Sequence, residues 1–186
     1  KVKMNEDRTT VERFKARLVA QGFSQRWGWD YDETYSPVIR MSTLRWLIAL
    51  GVFHSLEMDM IDITSAYLNA SLKEVIYMRT PTGHPGEGKV LRLLKAIYGL
   101  KQAGREWYLR LTEHLTKLGF MAAHGDPCLW SKRIGDKFVW VALYVDDLII
   151  MGDRESVSEF KELISKEFKI RDLGPLSYCL GIQFDR

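Results

Sequence analysis

Two aspartates stand side by side at positions 146 and 147, between the apolar runs Phe138–Val145 and Leu148–Met151. Each run is apolar enough for a buried strand, and a turn between them accounts for one chain reversal, because Asp tolerates turn geometry. It does not account for two acidic turn residues in apolar surroundings. Adjacent like charges oppose each other's ionisation unless a cation compensates, and bare carboxylates suit Mg²⁺, which takes one or two of them together with substrate phosphates. Taken alone, the pair is also compatible with a solvated hairpin tip. A third carboxylate, Asp62, closes another strand-like run, 56–63. Three carboxylates at strand ends, two adjacent and one distant, are what two bridged metal ions need for in-line attack at phosphorus. One ion lowers the pKa of the attacking hydroxyl, and the other stabilises the leaving oxygen. Asp59 lies an odd number of positions away and would point to the opposite face of a regular strand, so Asp62 is the candidate.

Elements that could position these groups follow along the chain. Residues 1–13 are polar and read as a flexible lead-in; 14–20 alternate like a strand, with Lys15 and Arg17 on one face; 21–41 read as a long loop. Ser42 or Thr43 opens a helix to about Phe53. After the 56–63 strand, 64–69 form a short helix, and 74–78 and 90–94 pair across the Gly/Pro loop 80–88. Gln102 to Leu118 is a helix with Trp107, Leu111, Leu115 and Leu118 on one stripe. Residues 127–133 and 137–151 are successive strands, Ser156–Glu159 is a capping box for a helix ending near Phe168, and 176–184 is strand-like. Helices interspersed with hairpins predict an α+β domain with a mostly antiparallel sheet.

Composition sets the outer limits. The 186 residues fit one or two domains, and 46% hydrophobic content is too high for a disordered chain. No uncharged apolar run approaches the ~18 residues of a membrane span, and the first residues lack the apolar core of a signal peptide. Cys128 and Cys179 have no CxxC spacing and fit a reducing compartment. His124 and Cys128 are four apart without a further ligand pair, which argues against zinc. The net charge of +3 hides a split: residues 1–26 and 89–117 each carry seven Lys/Arg against only three and two acids. Such a chain can grip a polyanion while concentrating carboxylates elsewhere, although a mixed-charge surface gives the same count.

At this level of detail the chain resembles the reverse transcriptases of copia-type retrotransposons. Tyr144-Val145-Asp146-Asp147 is similar to their Tyr-x-Asp-Asp box. Phe14–Gly22 (FKARLVAQG), Glu33–Val38 (ETYSPV), Tyr98–Ala103 (YGLKQA) and Leu180-Gly181-Ile182 match in family order, from about Lys15 to Phe184. Ala70, Gly104, Cys179 and Gln183 depart from the usual pattern.

The resemblance implies an RNA-directed DNA polymerase with a right-hand palm, an antiparallel sheet backed by helices, and partial fingers over residues 14–186, without thumb or ribonuclease H. It implies catalytic Asp62, Asp146 and Asp147 holding two Mg²⁺ ions (Mn²⁺ as the alternative), with the Ile63 carbonyl completing one shell. Tyr67 would be the aromatic gate under the sugar. Lys15 and Arg17 would hold the triphosphate. Tyr98, Gly99, Lys101 and Gln102 would lie under the incoming nucleotide, and Tyr144, Leu180 and Gly181 along the primer. The implied partners are an RNA template, a DNA or RNA primer, deoxynucleoside triphosphates and the remainder of a Pol polyprotein with integrase and ribonuclease H, and no membrane. The implied setting is a cytoplasmic virus-like particle, or the nucleus. Two rival readings are a catalytically silent nucleic-acid-binding relic and a nuclease using the same carboxylates; a nuclease has no need of Tyr67 as a sugar gate.

Overall fold

A computed structural model describes residues 2–4, 9–14 and 16–185. The chain opens with a hairpin of β1 (Val2–Met4) and β2 (Val11–Phe14), within the span expected to be a lead-in. The strand expected over 14–20 ends at Phe14, and 16–20 run outside any sheet because no strand pairs with them. Their backbone is tied instead by the Ala20 N–H, which donates to the Tyr98 carbonyl at 2.8 Å. Lys15 lies outside the described residues.

Helix α1 (Met41–Phe53) buries Leu44, Leu47 and Gly51. Neither Ser42 nor Thr43 is its N-cap: the N-cap is Arg40, which offers no side-chain cap. One of its N-terminal donors is met from a distant strand, where Asp126 accepts from the Arg40 N–H at 3.0 Å and, on its other oxygen, from the Cys128 N–H at 3.0 Å. Strand β3 (Glu57–Ile63) is followed by a 3₁₀ turn at Ala66–Asn69, then by the hairpin of β4 (Ser71–Arg79) and β5 (Val90–Lys95). Helix α2 (Ala103–Lys117) keeps the apolar stripe expected of it, with Trp107, Leu111 and Leu115 buried. The run β6 (Met121–Ala123), β7 (Asp126–Ile134), β8 (Lys137–Tyr144) and β9 (Asp147–Gly152) leads to α3 (Arg154–Ser165). The α3 cap is Asp153, which accepts from both the Ser156 N–H and hydroxyl. The expected box at Ser156 is therefore one turn too late, and the helix ends at Ser165 rather than Phe168. The strand expected over 176–184 is divided: β10 (Ile170–Pro175) precedes a small hairpin of β11 (Tyr178–Cys179) and β12 (Ile182–Gln183). Leu180 and Gly181, both at positive φ (51° and 81°), form its turn and interrupt a continuous strand.

Six strands form the central sheet in the order β10-β3-β9-β8-β7-β6, antiparallel at every junction. The architecture is thus α+β with a mostly antiparallel sheet, as expected. β8 and β9 lie inside it and are nearly continuous apolar runs, with Leu148, Ile149, Ile150 and Met151 fully buried. α3 packs on β3 and β9 and buries Val157, Phe160 and Ile164. Aromatic edges lock the layers: Trp107 meets Phe168, and Phe120 meets Phe160, each at 5.3 Å between ring centroids. Among the described residues no helix is long and apolar enough to cross a membrane. Three cations of the basic 89–117 stretch, Arg105, Arg110 and Lys117, pair within the chain with Glu33, Glu167 and Glu113. Much of that charge is spent internally.

Candidate active site

Tyr144 at the end of β8 pairs with Asp147 at the start of β9, so the turn consists of Val145 and Asp146. The turn is therefore not the Asp-Asp pair that the sequence suggests. Asp146 occupies the loop and Asp147 the first strand position, which places the two carboxylates in different surroundings. Val145 has φ of 56°, a conformation that costs a residue with a side chain roughly 1–2 kcal/mol and is an outlier for a β-branched one. Two hydrogen bonds grip the turn. The Trp107 indole N–H donates to the Val145 carbonyl at 2.7 Å, and the Ile63 N–H donates to the Asp146 carbonyl at 2.8 Å.

The third carboxylate arrives through sheet register. In the β3–β9 ladder Asp62 faces Asp147 directly, and in the β10–β3 ladder it faces Arg171. Asp59 is on the other parity, as expected, and pairs with Lys161 of α3, which also binds Asp172. The convergence of charge has an electrostatic signature. Burial first, then Asp146 and Asp62, push the Asp147 carboxyl up to about 6, while Arg171 works in the opposite direction. Among the described residues no three His, Cys, Asp or Glu side chains stand close enough to form a ligand set as they are. The donor chemistry nevertheless suits a hard divalent cation: all ligating atoms would be oxygens, and a cation would offset the burial and the neighbouring carboxylates that raise the Asp147 carboxyl.

A cleft of about 800 Å³ opens over these groups, and Arg17, Asp62, Ser65, Tyr98, Asp146 and Arg171 are among its walls. Tyr98 is a shared platform. The Arg17 guanidinium lies over its ring at 5.3 Å, and the half-buried Tyr67 packs against it at 4.6 Å with the planes tilted. Burial, then Tyr98 and Asp146, raise the Tyr67 hydroxyl above its ordinary pKa, so it stays neutral beside the acidic cluster.

Other candidates fall outside this cleft. Gly99 (φ 94°) permits a close backbone approach, but the neighbour is the chain itself: a Cβ there would sit 2.1 Å from the Ala20 carbonyl oxygen. Gly22 meets Gly99 in the same way, its Cβ position falling 1.8 Å from the Gly99 carbonyl oxygen. Lys101 donates its N–H to the Gln25 side chain at 2.7 Å and lays its ammonium over Tyr31. Gln102 is only 1% exposed and fully engaged. Its oxygen accepts from Gln25 at 3.0 Å, and its amide donates to the Asp30 carbonyl at 2.8 Å and to Glu74 at 3.2 Å. It therefore fastens the 25–30 loop to α2 and β4. Leu180 and Gly181 form the β11–β12 turn; the adjacent Cys179 thiol is raised by burial and by Asp147, which sets that hairpin beside the carboxylates.

Two residues of the site carried no readable signal. Arg171 lies on β10, a strand the sequence pattern placed several residues later. Trp107 reads as part of a core stripe, and nothing in its spacing reveals where the indole N–H goes.

The family described as "Reverse transcriptase (RNA-dependent DNA polymerase)" matches this chain over residues 1–186. The chain is 39% identical to the Retrovirus-related Pol polyprotein from transposon TNT 1-94 of Nicotiana tabacum, over 94% of this chain and 14% of that protein. It is 37% identical to the Retrovirus-related Pol polyprotein from transposon RE2 of Arabidopsis thaliana, over 99% of this chain and 13% of that protein. With the Transposon Ty1-H Gag-Pol polyprotein of Saccharomyces cerevisiae the identity is 32%, over 86% and 9% respectively. The chain thus spans about one seventh or less of the length of these relatives. No solved structure matches it.

Proposed function

The chain belongs to the reverse transcriptase (RNA-dependent DNA polymerase) family, and from that membership we propose that it is the palm with part of the fingers of an RNA-directed DNA polymerase of a copia-type element. The reaction is attack of a primer 3′-oxygen on the α-phosphorus of a deoxynucleoside triphosphate, breaking the bond to the β-phosphate and releasing pyrophosphate. The observation that supports this best is the register that sets Asp62 against Asp147 at a cleft also walled by Asp146, Arg17 and Arg171.

Reverse transcriptases generally use divalent metal ions; Asp62, Asp146, Asp147 and the Ile63 carbonyl would hold Mg²⁺, with Mn²⁺ the alternative, and the chemistry supplied is acidification of the primer hydroxyl and neutralisation of charge at the leaving oxygen. The protein's own contribution is placement. Arg17, with Lys15, binds the triphosphate through charge-assisted contacts. Tyr67, braced by Tyr98, closes the space a 2′-hydroxyl would need. Tyr98 forms the floor under the nucleotide, and Gly99, Lys101 and Gln102 act from outside the cleft by seating the segments behind it, Gln102 by fastening the 25–30 loop. Tyr144 and the Leu180-Gly181 turn take the primer strand. The template is RNA, and the working partners are the other parts of a Pol polyprotein, integrase and ribonuclease H among them.

Primer extension on an RNA template with deoxynucleotides and Mg²⁺ tests the proposal, comparing the chain and a version extended past Arg186 with their Asp146→Asn counterparts. Extension that disappears in Asp146→Asn supports it. Silence from the extended protein refutes the enzyme reading and favours a relic.

A further inference from the structure

The strained turn that carries the aspartates receives a hydrogen bond from a helix. Val145, Ser55, Ser65 and Leu180 are the non-glycine residues at positive φ among those described, and Val145 alone of them is β-branched. Its carbonyl accepts the Trp107 indole N–H at 2.7 Å. Trp107 is 1% exposed, so water cannot stand in for it, and an indole offers one donor and no acceptor. In the left-handed conformation the Val145 carbonyl is presented to that donor. Rotation of the 145–146 peptide toward an ordinary conformation would turn the Val145 carbonyl away and orphan the indole N–H; the next carbonyl along the chain, that of Asp146, is held separately by the Ile63 N–H, so the turn would have to re-form between two fixed donors. Asp146 follows immediately and Asp147 begins β9, so the same rotation would swing the first carboxylate out of the cleft and shift the second against Asp62.

We propose that Trp107 is a positioning residue of the active-site turn: its buried indole N–H locks Val145 in the left-handed conformation that aims Asp146 and Asp147 at Asp62. The kinetic consequence rests on the polymerase reading; the geometric one does not. A packing tryptophan whose N–H merely finds a partner would be replaceable by phenylalanine with little effect on the site. A locking donor would not.

One measurement checks that the donor is engaged, and two separate these readings. In the wild-type chain, hydrogen exchange of the Trp107 indole proton is expected to be slowed at least about tenfold relative to that of Trp29, which is 85% exposed. Exchange as fast as Trp29 overturns the proposal without any variant. Next, Mn²⁺ binding is read by electron paramagnetic resonance in wild type, Trp107→Phe and Phe168→Leu. Phe168 packs edge-on against Trp107 at 5.3 Å, so Phe168→Leu disturbs the same core while keeping the donor. Trp107→Phe is expected to weaken Mn²⁺ at least about tenfold, with Phe168→Leu within about threefold of wild type. Equal affinity in Trp107→Phe, an equal loss in Phe168→Leu, or no Mn²⁺ binding by wild type overturns it. Finally, in primer extension Trp107→Phe is expected to lower kcat by about 100-fold, the scale of a 1 Å misplacement, with KM for deoxynucleotide little changed. An unchanged kcat overturns the locking role. Wild type that binds Mn²⁺ in the expected pattern but does not extend primers counts against the polymerase reading alone.

Discussion

Asp147→Asn is expected to make the protein more stable at neutral pH. In the native chain burial and the two neighbouring aspartates raise this carboxyl from an ordinary 3.8 to about 6. An acid whose pKa is higher folded than unfolded opposes folding when ionised. Its cost is absent below the unfolded pKa and fully present above about 6. At 1.36 kcal/mol per pH unit the whole displacement amounts to about 3 kcal/mol. The cleft is open to solvent, and screening there reduces the gain to about 1–2 kcal/mol. The asparagine is a neutral isostere of the protonated acid, so the gain should appear at pH 8, shrink through pH 6 and vanish at pH 4. Urea unfolding at these three pH values without divalent cations reads it directly, as a midpoint shift of about 0.5–1 M at pH 8. A destabilised variant at pH 8, or a difference that does not change with pH, would refute the electrostatic account of the site.

Three further outcomes are expected. Gly99→Ala places a Cβ 2.1 Å from the Ala20 carbonyl oxygen at φ 94°, threatening the Ala20–Tyr98 hydrogen bond; a loss of about 2–4 kcal/mol in urea unfolding is expected, and a loss below about 0.5 kcal/mol would show that the 16–22 segment is not seated there. His114 is held below its ordinary pKa by burial first, then Arg110 and Lys117, and its buried Nε2 has no hydrogen-bond partner among the described residues. Its contribution is complete above the unfolded pKa of about 6.5 and is lost as pH falls below it, so the stability difference between wild type and His114→Gln should move in favour of the glutamine from pH 7.5 to pH 5; a constant difference contradicts this. Tyr67→Val is expected to relax the preference for deoxynucleotides over ribonucleotides by at least about tenfold in single-nucleotide incorporation, and unchanged discrimination would remove Tyr67 from the sugar gate.

The sequence revealed what is local and periodic. The alternation in 56–63 separated Asp62 from Asp59, and the stripe on 103–117 showed which side of that helix is buried, because both depend on residues a few positions apart. Long-range placements were not visible. Asp126 caps α1 across more than eighty residues, a role no local pattern announces, while Ser42 and Thr43 offered the usual local signal and are not the cap. Arg171 was hidden because β10 is short, ends at Gly174-Pro175 and gains its place by pairing with β3. The adjacent aspartates suggested a symmetric tip, whereas the β8–β9 register takes one into the turn and one into the strand. Gln102 looked available to a ligand because burial cannot be read from a loop-to-helix boundary. In the fold it closes a network with Gln25, Asp30 and Glu74.

The central claim is that Asp62 and Asp147, opposite each other in the sheet, act as one unit in nucleotide addition. Single-turnover incorporation of one deoxynucleotide, with the chain extended past Arg186, tests it across wild type, Asp62→Asn, Asp147→Asn and the double variant. Groups that work as a unit are non-additive, so each single substitution should remove nearly as much rate as the pair together. Single-variant losses that multiply in the double variant, or either single variant retaining a rate within a few-fold of wild type, would contradict the account.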